Sequence, residues 1–165
     1  MTDQPPPPTT DGPTTGGPTT GGPTTGGTVA EGAAAAGPLA LGKGTVGEVL
    51  DIETVEATPD RVVLRLPVTW KVHQPYGILH GGVSALLAES AASFGAAVSV
   101  PPGYKVVGIE LNVSHLRAMT DGTLTAVATP IRKGRTVHVW DVALSDDRGR
   151  DICRGRCTLS VIPPG

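Results

Sequence analysis

Between Val72 and Tyr104 only Glu89 is drawn from Asp, Glu, Lys and Arg, and it sits in a run, Val83 to Val98, that is small or apolar nearly throughout. A helix with no polar face belongs in an interior. One helical turn away from Glu89 lie Ala85, Leu86, Ala92 and Ser93, none of which can neutralise a carboxylate. A carboxylate buried without a partner is costly, its pKa tends to rise, and such groups concentrate where chemistry is done. Glu89 is therefore expected to be a buried functional group.

Just ahead of it, His80 is followed by Gly81 and Gly82. The first turn of a helix leaves backbone amides unpaired, glycine lets an acceptor atom come close to them, and the helix dipole favours negative charge there. Seven residues from Gly82 to Glu89 amount to roughly 10 Å along one helix face at ~1.5 Å per residue. That is long for one reacting carbonyl to touch both. Two antiparallel copies of the helix would set the amides of one against the glutamate of the other, so a site shared across a dimer is expected.

Only part of the chain can build the domain that positions these groups. Pro-Thr-Thr-Asp-Gly at 8–12 is followed by Pro-Thr-Thr-Gly-Gly at 13–17, 18–22 and 23–27, and residues 28–42 continue in Ala and Gly. Such a repeat has little apolar surface to bury and reads as a disordered tail over 1–42. Residues 43–165 remain, enough for one domain with one core. A formal net charge of −2 without a long basic run argues against nucleic acid as a partner. The first cation is Lys43, which argues against a charged secretion signal, and the helix at 82–98 reads as too short and too polar for a bilayer. Cys153 and Cys157, about 13 Å apart on one strand at ~3.3 Å per residue, cannot bridge and fit free thiols in a reducing cytoplasm. The histidines lack metal-ligand spacing, and neither a metal nor a cofactor is expected.

Taken in order, Val46–Glu56 reads as a strand, followed by turn chemistry at Thr58-Pro59-Asp60. Over 61–68, Val62, Leu64, Leu66 and Val68 share one face and Arg61 and Arg65 the other. Residues 69–79 are expected to be loop, and Pro101-Pro102-Gly103 ends the helix. Period two then persists. Val107, Ile109, Leu111, Val113 and His115 fall on one face, with turns at Asp121-Gly122, Lys133-Gly134 and Asp146–Gly149 joining four strands in a meander. An antiparallel sheet of five or six strands with one long apolar helix is best satisfied when the sheet curls round the helix, an α+β architecture.

Gln74-Pro-Tyr-Gly-Ile-Leu-His80-Gly81-Gly82, then Leu87-Ala-Glu89-Ser-Ala-Ala-Ser93, resembles the hotdog-fold acyl-CoA thioesterases of the phenylacetate-degradation type, a group that includes 4-hydroxybenzoyl-CoA and 1,4-dihydroxy-2-naphthoyl-CoA thioesterases. Val107-Gly-Ile-Glu-Leu-Asn112-Val-Ser-His115-Leu-Arg117 matches the strand after the helix in that group, and the likeness runs from about 46 to 162. The resemblance implies a hydrolase that releases an aromatic or medium acyl group from coenzyme A without cofactor or metal. It implies Glu89 as nucleophile or general base, and the Gly81 and Gly82 amides as the oxyanion hole. Gln74 and His80 would polarise the carbonyl, and Ser93, on the same helix face as Glu89, would orient water or the carboxylate. His115 would lie near the acyl group. Arg117, Arg132, Lys133, Gly134 and Arg135 would grip the coenzyme. Homodimers pairing into a homotetramer are implied as well.

Each residue also has a plainer reading. Glu89 could bond to backbone, His80 could simply cap the helix, and Ser93 could bond back to the carbonyl four residues earlier. His115 could be a satisfied core histidine, and the cations near 132–135 a solvated turn. The rival functions are a catalytically inactive acyl-CoA binding module, a hydratase acting on acyl-CoA, and a scaffolding role for the tail. A lipase-type reading of His-Gly-Gly fails for want of a Gly-x-Ser-x-Gly elbow.

Overall fold

A computed structural model describes residue 41 and residues 43–165. Apart from Leu41, the tail expected over 1–42 lies outside the described residues. Six antiparallel strands form one sheet around a single long helix, the hotdog arrangement. The strands are β1 (Glu53–Ala57), β2 (Val62–Pro67), β3 (Lys105–His115), β4 (Thr123–Lys133), β5 (Val137–Ser145) and β6 (Asp151–Ile162). The helices are α1 (Val46–Val49) and α2 (Gly81–Val98), with a short 3₁₀ turn at Trp70–Val72.

The strand expected over 46–56 is half right. The chain first turns through α1, Asp51 takes a left-handed φ of 55°, and only then does it extend as β1. Aspartate tolerates that conformation better than most residues, which is how the helical turn is broken into a strand.

Alternation in β2 behaves as expected, with Val62, Leu64, Leu66 and Val68 buried. Strands β4, β5 and β6 supply inward residues in the same way, and Leu124, Ala126, Ala128, Trp140, Val142, Leu144, Cys157 and Leu159 complete the core with Leu87, Ala88, Ala91 and Ala92 of the helix. Gly95 completes the fit, because a Cβ there would stand 2.4 Å from Cη2 of Trp140.

Strand order departs from a simple four-strand meander. The sheet runs β1-β2-β4-β5-β6-β3, so β4, β5 and β6 follow one another while β3 pairs with β6 at the far edge. Asp121-Gly122 is therefore no hairpin between β3 and β4. Residues 116–122 cross to the other side instead, tied to the loop before the helix by Leu79 N to Met119 O (2.7 Å) and Val68 N to Gly122 O (2.8 Å). Turn residues mark a change of direction but not which strand is met afterwards. The other two turns do close hairpins, and at the last of them Asp146 Oδ1 accepts from the amides of Arg148 and Arg150.

Expected parity also fails over part of β3. The register slips between Gly108 and Glu110, so Ile109 is an extra residue and the faces exchange. Val106, Leu111 and Val113 pack towards the core, whereas Val107 and Ile109 are 46% and 58% exposed.

With 18 residues and a mean hydropathy of 1.2, α2 does reach the lower bound for a membrane-crossing helix, contrary to the expectation from sequence. The sheet packed along one side of it accounts for the apolar residues of that side.

Candidate active site

His80 starts α2. Its backbone is extended, with φ −70° and ψ 129°, and its Nδ1 accepts the Gly82 amide at 2.9 Å. A neutral imidazole that accepts at Nδ1 carries its proton on Nε2. His80 thus offers an N–H to the exterior while completing the helix cap. The same bond corrects the expectation for Gly82, whose amide is already engaged. Gly81 differs, since among the described residues nothing accepts its amide. It lies against His115, and a Cβ on Gly81 would stand 2.8 Å from that ring's Nε2.

Seven of the implied residues fall into two clefts of one protomer, and His80 lines neither. The first, about 360 Å³, is lined by Gln74, Gly81, Ser84, His115 and Arg117 together with apolar neighbours that include Ile78 and Leu116. The second, about 510 Å³, is lined by Gly82, Glu89, Ser93, Leu86, Phe94 and Leu111. Gln74 is shaped by its own loop: its amide nitrogen on the backbone donates to Ile78 O at 2.8 Å, and its side-chain Oε1 accepts from the Tyr76 amide at 3.3 Å.

Glu89 is not interior in a single protomer, against the expectation from its apolar setting. The sheet covers the side of α2 formed by Ser84, Leu87, Ala88, Ala91, Ala92, Gly95 and Ala96, and leaves the side with Gly82, Glu89 and Ser93 open. Among the described residues the Glu89 carboxylate forms no hydrogen bond or ion pair. Its charge is nonetheless felt inside. Burial, and after it the charges of Glu89 and Glu110, push the Cys157 thiol up to about 11. Cys153 and Cys157 are both free and buried on β6.

The basic turn stands apart from both clefts. Lys133 Nζ donates to Asp60 Oδ1 at 2.7 Å and to Pro59 O at 3.1 Å, pinning the β4–β5 hairpin to the β1–β2 turn. Gly134 closes that hairpin through its amide to Val137 O at 2.9 Å, and a Cβ on it would come within 2.8 Å of the same oxygen. Both residues thus have structural work, which leaves Arg132 and Arg135 as the exposed cations of the hairpin without such a bond among the described residues.

Leu41 was missed by sequence reading. It lines the Glu89 cleft and packs on Gly47, where a Cβ would stand 2.5 Å from the Leu41 Cβ. Nothing in an Ala/Gly-rich stretch sets this leucine apart. Leu86 could have been found, because it lies three residues from Glu89 on the same helical face; Ser90 and Phe94, one and five residues on, stand about 100° and 140° round the helix and reach the cleft from its sides.

A sheet curled round one helix, with a bare amide at the helix start and a carboxylate further along it, defines the class, and comparison with known proteins agrees. The family described as the Thioesterase superfamily matches residues 76–153. The chain belongs to this superfamily and is a thioester hydrolase. Among its relatives is the 1,4-dihydroxy-2-naphthoyl-CoA hydrolase of Listeria monocytogenes, 45% identical over 69% of this chain and 93% of that protein. The proofreading thioesterase EntH of Cronobacter turicensis is 37% identical over 72% of this chain and 87% of its own length. Of solved structures, a mutant of thioesterase PA1618 from Pseudomonas aeruginosa superposes with a TM-score of 0.71 at 41% identity, covering 73% of this chain and 88% of that one.

Proposed function

We propose that the chain hydrolyses an acyl-CoA thioester, carrying an aromatic or medium acyl group, to the free acid and coenzyme A, and that each site is built by two copies. One observation carries the two-copy reading: Gly81 and Glu89, on one helix, open into different clefts. A second copy laid antiparallel along the open side of α2 would cover Glu89 and bring it to the partner's helix start. The free edge of β3, with Val107 and Ile109 outward, suits pairing with another copy of itself. Two such dimers then pair into a tetramer.

In this reading the thioester carbonyl lies at the Gly81 amide, where the helix dipole and the Nε2–H of His80 favour the charge that grows on oxygen. Gln74 in the same cleft helps to hold the carbonyl. The carboxylate of Glu89, covered by the second copy, attacks the carbonyl carbon or takes a proton from an attacking water. Ser93, one turn along, orients that water or the carboxylate. His115 flanks the acyl group. Arg117 contacts the coenzyme's phosphates from the Gly81 cleft, with Arg132 and Arg135 as further cations for them.

A panel of acyl-CoAs, assayed for release of the free thiol, tests the reading and ranks acyl groups together. Hydrolysis of aromatic or medium members is expected. Binding across the panel with no thiol released from any member would mark an inactive binding module instead.

A further inference from the structure

Gly108 of β3 stands against the Glu89 side chain. A Cβ built on it would stand 2.5 Å from Oε1, 3.3 Å from Cδ and 3.7 Å from Cγ of Glu89, its three nearest atoms. The strand bulges immediately afterwards, between Gly108 and Glu110, so the inward-facing run is interrupted just where the carboxylate rests. Its antiparallel partner on β6 is the fully buried Leu159, so a Cβ at this position would point to the helix side of the sheet, although Gly108, like Glu89, is itself exposed.

An added methyl group would meet no backbone and no ring, only the far end of a side chain free to swing about three bonds. The fold has no need of glycine here on grounds of φ, since Gly108 is not among the glycines in the left-handed region. The missing side chain leaves its space to the carboxylate.

We propose that Gly108 is a positioning residue for Glu89: with no Cβ at this point of the edge strand, the carboxylate has room to lie against β3. The inference rests on the assignment of Glu89 to the reaction. Because groups must be held within a fraction of an ångström of the productive geometry, moving the carboxylate has a large effect on rate and a small one on binding.

Gly108→Ala separates the possibilities. The expected result is a kcat lower by about 10²-fold with KM within a factor of about two, at an unchanged Tm. In a Glu89→Ala background the same substitution is expected to have no further effect on kcat, since a residue acting through Glu89 has nothing left to act through. The carboxyl ¹³C resonance of Glu89, read in the wild-type protein and in Gly108→Ala, reports the displacement without reference to turnover, and a shifted resonance is expected. Full kcat in Gly108→Ala while Glu89→Ala is inactive overturns the inference and leaves the hydrolase reading standing. High activity in Glu89→Ala overturns the assignment of Glu89 to the reaction, on which the inference rests, and the resonance then decides the contact alone: an unmoved signal disproves it.

Discussion

The ring of His80 accepts the Gly82 amide at 2.9 Å, so one imidazole both caps α2 and keeps an N–H for the exterior, next in the chain to Gly81, whose amide has no acceptor among the described residues. The two roles can be pulled apart. His80→Ala is expected to lose about 1 kcal/mol of stability with the cap, and about 10²-fold in kcat with the donor. His80→Asn keeps a capping oxygen and should recover the stability, measured by thermal denaturation, but not the rate. Turnover restored by asparagine would reduce the imidazole to a cap.

Two clefts on one protomer make a prediction about mixtures. Glu89→Ala alone should lower kcat by about 10²–10⁴-fold, as expected for losing a general base, and Gln74→Ala should also be impaired. If each site joins the Gln74 of one copy to the Glu89 of another, refolding the two variants together regenerates some intact sites. At equal amounts, random pairing restores about a quarter of wild-type turnover. A mixture no more active than its components would place both residues in one protomer's site.

Gly95 makes room for the largest buried ring in the protein. With a Cβ position 2.4 Å from Cη2 and 2.5 Å from Cζ3 of the fully buried Trp140, Gly95→Ala must push apart a rigid indole and a helix backbone. The expected loss is about 1–3 kcal/mol by chemical denaturation. A variant as stable as wild type would show that α2 can slide along the sheet.

Alkaline pH should weaken the fold through Cys157. Burial raises its thiol from 9.0 to about 11 in the folded protein, so between these values the unfolded chain has released its proton and the folded chain has kept it. Stability is then insensitive to this group below about pH 9 and falls as pH rises towards 11, by an amount on the order of 2 kcal/mol. Urea denaturation at a series of pH values should show a shallower alkaline decline for Cys157→Ala than for wild type. Parallel declines would mean that the thiol titrates alike in both states.

Types and spacings of residues determined a good deal. An apolar helix stopped by Pro101, strands alternating at Val62, Leu64 and Leu66, and the pairing of a His-Gly-Gly start with a lone glutamate all follow from local rules, because helix period, strand period and proline sterics act within a few residues. They were enough to specify an α+β sheet wrapped on one helix. What they could not specify was decided at long range. β3 lies beside β6 rather than β4, Ile109 is extruded so that parity reverses, and Lys133 is held by Asp60 some 73 positions away. The tertiary structure also set the exposure of Glu89, since one sheet can cover only one side of a helix, however apolar the other side is. Leu41 reaches the cleft for a similar reason: its neighbours in space, Gly47 and the helix face, give no sign of themselves in the residues around it.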